Sequence, residues 1–222
     1  MTLPQVVQAN LAPFLRPAEV PELGLREESL FLELFADDEA RSRKALQVTI
    51  PSQKMDNWCW AAVAVGISDA YHDPPISQCT VASKVQKIRC CSKPPDRACT
   101  QEQPLSPGLS LEGHEHFVEY LDPDRTAPLL VPHKGWAFLT DHIDRGLPVP
   151  VRIAFGTGHG YGHFVVVTGY QMEPSGLYLI VSDPENERWH FELTEFIAHF
   201  HGTGRWHTTY ELKPAGVIPE MK

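Results

Sequence analysis

Cys59 opens a long apolar run, Trp58 to Ile67, and Gln53 lies six residues before it in the stretch Gln53-Lys54-Met55-Asp56-Asn57-Trp58-Cys59-Trp60-Ala61-Ala62. Far downstream, His163 begins the apolar run His163-Phe164-Val165-Val166-Val167, and Asp183 ends the run Leu177 to Ser182. A thiol, an imidazole, a carboxylate and a side-chain amide are what acyl transfer through a cysteine nucleophile needs. In that chemistry Cys59 attacks and His163 moves the proton. Asp183 accepts from the imidazole Nδ1–H and so fixes its tautomer and orientation. Gln53 donates its amide to the developing oxyanion beside the backbone N–H of Cys59, which as a first helical N–H has no partner within the helix.

Each of these residues also has a plainer reading. A free cysteine is most often a small buried hydrophobe, Gln53 could be an exposed loop residue, and Asp before Pro commonly makes a turn. His163 is one of eleven histidines. Its main competitor, His159, lies in the Gly-rich stretch Gly156 to Gly162, which reads as a flexible loop. A strand fixes an imidazole better, and His163 opens one. Four roles filled together outweigh the separate plain readings.

The elements that must hold these groups follow from patterning. Cys59 to about Tyr71 is apolar nearly all round, which predicts a central buried helix, with Asp56 or Asn57 as N-cap and Asp73-Pro74-Pro75 as its stop. A thiol at its N-terminus feels the positive end of the helix dipole, which favours thiolate. Phe164–Gly169 and Leu177–Val181 predict a hairpin turning at Glu173 to Gly176. Centred on Glu173, that hairpin sets His163 opposite Asp183, unless a bulge shifts the register.

Other expected elements are a helix over Glu27–Leu46, a strand at Val48–Ile50, and short helices near Val81–Arg89 and Glu112–Leu121. A helix over Trp136–Arg145, ended by Gly146, feeds a strand over Pro148–Phe155. Thr194 caps a helix over Glu195–Phe200, and Trp206–Leu212 is a closing strand. Helices first and strands later point to an α+β fold.

Composition bounds the partners. The chain has 222 residues, 42% hydrophobic, enough to bury a core. Its net charge of −9 argues against a nucleic-acid partner. The uncharged apolar stretch Asn57 to Ser68 is too short to span a bilayer, so no membrane partner is expected. Met1 to Asn10 has neither a basic region nor an apolar core, so no ordinary secretory signal is expected.

Four further cysteines, Cys79, Cys90, Cys91 and Cys99, fall within 21 residues. A bridge between the neighbours Cys90 and Cys91 is strained. That leaves 79–90 with 91–99, or 79–91 with 90–99. Reduced thiols and a zinc site are the alternatives, the latter lacking paired C-x-x-C spacing. Disulfides would imply an oxidising destination, which, without a signal, needs a non-standard export route.

The motifs taken together resemble the papain-like cysteine proteases. They look most like a bacterial branch with Gln-x5-Cys-Trp-Ala-Ala (Gln53 to Ala62), Gly-His-Phe-Val-Val (Gly162 to Val166) and a strand ending in Asp183-Pro184. Plant-pathogen effector proteases and toxins passed between competing bacteria share this pattern. The Gln-Cys-Thr-Val-Ala and Cys-Cys runs at 78 to 91 and Gly202-Thr203-Gly204-Arg205-Trp206 also look like that branch. Family members often carry Asn as the third residue, and this chain offers Asp183, as the bacterial branch does.

The resemblance covers roughly residues 47–213. It implies a two-lobed α+β fold, with Cys59 in a helical lobe, His163 and Asp183 in an antiparallel β lobe, and the substrate cleft between. Residues 1–46 are an appendage outside the match, a pro-segment, docking or export element or a packed helix, and 214–222 a tail. The implied activity is a cysteine endopeptidase on protein or peptide substrates, needing no metal or cofactor. The effector reading adds a bacterial source, export from the producer's cytoplasm, and a cognate inhibitor or immunity protein. The rivals are a deamidase or transglutaminase-like enzyme, a processing protease acting on a peptide or its own N-terminus, and a non-catalytic module holding zinc.

Overall fold

A computed structural model describes residues 43–91, 97–111, 113–120, 131–156, 162–173, 175–185 and 187–213. The readings made for residues 1–42, His159 and the tail 214–222 lie outside them. Strand β1 (Arg43–Ala45) comes first, then helices α1 (Cys59–Ala70) and α2 (Gln78–Gln86), a 3-10 turn at Arg97–Thr100, and α3 (Leu105–Leu111). Strand β2 (Glu115–Tyr120), helix α4 (Val131–Asp144) and strand β3 (Val149–Phe155) follow. The chain then forms β4 (Gly162–Glu173), β5 (Gly176–Asp183), β6 (Glu187–Glu192), α5 (Leu193–Ala198) and β7 (Gly204–Lys213). This is the expected α+β architecture, consistent with a papain-like fold.

The strands form one antiparallel sheet in the order β2-β7-β3-β4-β5-β6, with β1 also paired to β4. Its two faces are covered by different helices because β4 alternates. Phe164 and Val166 join Tyr210 and Leu212 in a core with α1, α2 and α3. Val165 and Val167 join Val151, Leu179 and Val181 in a second core under α4 and α5. A strand buried on both faces reads as a continuous apolar run, as His163 to Val167 does. Helix α1 is buried from Cys59 to Ser68, so it lies between the small helices and the sheet.

Strand β4 serves two partners in turn along its length. Val149 to Ala154 of β3 pair with Val167 to Gly162, and Arg43 to Ala45 pair with Gln171 to Gly169. A Cβ on Gly169 would sit 2.5 Å from the Lys44 carbonyl oxygen and 2.9 Å from Ala45 Cα. Both are backbone atoms and cannot swing away. Gly169→Ala is therefore expected to push β1 off the sheet and lower unfolding free energy by about 2 kcal/mol, as a displaced urea midpoint.

Several expected elements are corrected. Glu112–Leu121 holds strand β2 rather than a helix; Phe117, Val118 and Tyr120 are good strand formers, and pairing with β7 decides the outcome. The first strand is Arg43–Ala45 rather than Val48–Ile50, so the helix expected to run to Leu46 does not cover 43–45. Strand β7 lies inside the sheet, between β2 and β3. Glu192, not Thr194, caps α5, accepting from the Glu195 N–H. Trp58 occupies the α1 cap with no capping bond from its side chain, and Asn57, at φ 63°, sends its amide to the Thr100 carbonyl instead.

Candidate active site

The two residues before α1 are fixed from one side. Trp58 Nε1 donates to the Cys99 carbonyl at 2.6 Å, and Asn57 Nδ2 donates to the Thr100 carbonyl at 2.9 Å. Cys59 then starts the helix, 3% exposed and the free cysteine among the described residues. The others form the bridges Cys79–Cys91 and Cys90–Cys99, the second of the two pairings considered. The reduced and zinc-bound alternatives therefore do not describe this cluster.

The sheet brings His163 and Asp183 together. His163 Nε2 lies 2.7 Å from Asp183 Oδ1, and both residues are 3% exposed. Two details differ from expectation. Glu173 pairs with Gly176, which centres the turn later than Glu173, and a bulge between Val167 and Gly169 sets Val166 opposite Ser182. Carried one residue further, Asp183 stands across from Val165. His163 is then its diagonal neighbour on the same face, a shift of two residues that preserves the side-chain parity. The ring is also turned the other way, so that Nε2 rather than Nδ1 meets the carboxylate.

Nδ1 is buried without a hydrogen bond of full geometry, while the Cys59 side chain is near enough to act on the ring. Burial alone, the largest single influence on His163, disfavours its charge. Hydrogen bonds to Asp183 and Cys59, and the charges of both, more than offset it and push the imidazole pKa up from 6.5 to about 10. Asp183 Oδ1 also accepts from the Glu185 N–H at 2.8 Å, the turn role of an Asp before Pro, and its Oδ2 lies 3.8 Å from His201 Nε2.

Gln53 reaches the same corner. Its N–H donates to the Pro184 carbonyl at 2.9 Å, one residue past Asp183. Its Nε2 donates to Glu185 Oε1 at 3.3 Å, while Oε1 is buried without a partner. An amide nitrogen carries two donors, and Glu185 takes one. The buried Gln78 side chain clamps the backbone on both sides of Gln53, accepting from the Lys54 N–H at 2.9 Å and donating to the Ser52 carbonyl at 2.8 Å.

Cys59 opens on a cleft of about 340 Å³ between the α1 end and strands β3, β4 and β7. Arg152, His207 and Glu102 bring charge or polarity to its walls. A Cβ on Gly162 would stand 2.5 Å from the Arg152 guanidinium. The glycine before His163 thus makes room for Arg152.

Sequence reasoning missed Gln78, Glu185, Arg152 and His201. Glu185 had a visible signal, a carboxylate directly after Asp-Pro. Gln78 stands in the Gln-Cys-Thr-Val-Ala run without its role being evident there, and Arg152 and His201 are recruited by tertiary packing and carry no local pattern.

Among the described residues no group of three metal-ligating side chains is arranged to hold an ion, and no helix is long and apolar enough to cross a membrane. No curated protein matches the chain. A family model does: residues 45–212, which span all the residues just described, match the Peptidase_C39 like family, and the chain belongs to that family of cysteine peptidases.

Proposed function

We propose that the protein is an endopeptidase working through a Cys59-His163-Asp183 triad with Gln53 in the oxyanion hole. The observation that carries this reading is the buried 2.7 Å contact between His163 and Asp183, with Cys59 near enough to help hold the charge on the imidazole. The Cys59 thiolate attacks a peptide carbonyl carbon. The oxygen that gains charge is held by Gln53 Nε2–H and the Cys59 backbone N–H. His163, positively charged below a pKa of about 10, gives its Nδ1 proton to the departing amine as the C–N bond breaks. A water, losing its proton to His163, then cleaves the thioester, releases the acid and restores the thiolate.

The destination of the enzyme belongs to the same proposal. Two disulfides in a short segment fit an oxidising compartment. An exported bacterial effector or toxin, held in check by an inhibitor protein in its producer, fits such a destination.

Intact-protein mass spectrometry after brief exposure to an epoxysuccinyl thiol inhibitor tests the reading. One rapid adduct on Cys59, slowed in His163→Ala, is expected, and an unlabelled Cys59 would sink it. Product mass separates peptidase from deamidase: a cut chain, against a gain of about one mass unit when an amide becomes an acid. Gln53→Ala is expected to lower kcat by about 100-fold with KM little changed, since the oxyanion exists only in the transition state. Steady-state kinetics on any cleaved substrate checks it.

A further inference from the structure

We propose that the Cys90–Cys99 disulfide and the Trp58 indole are positioning elements for the nucleophile. Turnover then needs this bridge closed while Cys59 remains a free thiol. The inference rests on the triad reading above.

The residues immediately before Cys59 are seated on two consecutive carbonyls of one short 3-10 turn. Trp58 Nε1 donates to Cys99 O and Asn57 Nδ2 to Thr100 O. Gln86 Nε2, from the end of α2, donates to the same Cys99 oxygen at 3.1 Å. The sulfur of Cys99 ties that turn to Cys90. Cys90 and Cys99 are 5% and 0% exposed and belong to the same core as Trp58 and Cys59. The chain running on from the turn, Glu102 to Pro104, forms a rim of the cleft onto which Cys59 opens. One covalent bond therefore fixes both the start of the nucleophile helix and a wall of the cleft.

The neighbouring bridge differs. Cys79 is half-buried, Cys91 is exposed, and their bond closes a local loop around α2. Neither cysteine supplies a hydrogen bond to Asn57 or Trp58. Opening the inner bridge takes two electrons from a dithiol reductant, which leaves as a disulfide while Cys90 and Cys99 become thiols. The turn then loses its anchor. The buried Trp58 donor must follow it or go unpaired, and a small displacement of a nucleophile costs much rate.

Three variants of the full chain test this: Cys79→Ala with Cys91→Ala, Cys90→Ala with Cys99→Ala, and Trp58→Phe, which keeps the bridge and the ring but removes the donor. The readout is the labelling rate of Cys59 by an epoxysuccinyl inhibitor across pH, with circular dichroism as the check on folding. The outer-bridge variant is expected to label at the wild-type rate. The inner-bridge variant and Trp58→Phe are expected to label about 10- to 100-fold more slowly, with a changed pH profile of labelling. Wild-type rates and profile in both would overturn the proposal. If the inner-bridge variant does not fold, Trp58→Phe decides alone. An unlabelled Cys59 in the wild type would instead refute the triad reading itself.

Discussion

Cys59→Ala is expected to abolish peptide hydrolysis, by on the order of 10⁴-fold or more in kcat, while the protein stays folded. The side chain is buried at the end of α1. Trading a thiol for a methyl there leaves a small gap, worth about 1 kcal/mol or less. His163→Ala should cost a similar factor. The informative result is the double variant, because members of one catalytic unit are not additive: removing both should cost hardly more than removing either. Hydrolysis rates of the three variants on one substrate, with matched thermal unfolding curves, check this. Two independent losses that multiply would mean that the thiol and the imidazole do not act together.

The second large effect concerns Asp183 and has a pH signature. The His163 pKa is raised to about 10, so the imidazolium is present below that pH and is lost as pH rises through it. Activity that needs His163 as an acid should hold well into the alkaline range and then fall. Asp183→Ala removes the largest influence that raises the pKa and leaves burial, which lowers it, opposed by Cys59 alone. The alkaline limb should then move down toward the ordinary 6.5. The same change should lower kcat by about 100-fold or more at neutral pH, because the ring also loses its orienting partner. Asp183→Asn keeps an acceptor without the charge and should lie between the two. A kcat/KM profile from acid to strongly alkaline pH tests the order; an unmoved limb in Asp183→Ala would contradict it.

The local patterns around the site were legible because each is written in a short stretch. The continuous apolar face of Cys59 to Ser68 leaves no polar side for solvent, so a buried helix was readable. The runs before and after Glu173 are strand-like on β propensity alone, and their even spacing kept His163 and Asp183 on one face despite a misplaced turn centre. Chain-distant decisions were not readable. Glu115–Tyr120 becomes a strand only because β7 offers a partner, and Arg43–Ala45 only because β4 outruns β3. The orientation of the imidazole is likewise a tertiary outcome: Cys59 and Asp183 approach it from different elements, and no local rule says which nitrogen each meets. Gln78, 25 residues from Gln53, illustrates the same point. Its two amide atoms close on a loop that its own neighbourhood in sequence does not reveal.

The way β4 is shared between β3 and β1 sets a leash on self-cleavage. Arg43 is paired opposite Gln171, eight residues along β4 from His163, which at about 3.3 Å per residue is roughly 26 Å. Leu46 is also tied, its N–H donating to the Thr168 carbonyl at 2.8 Å. A bond near residue 46 is therefore held away from the thiol by the sheet itself and could be cut only by another molecule, or before β1 docks. A cut within one folded molecule must use chain upstream of Arg43, and a fully stretched tether needs about eight residues to cover that distance. The last bond within reach then lies near residue 35, so the length of the fragment released would report whether the cut was made within one molecule or between two.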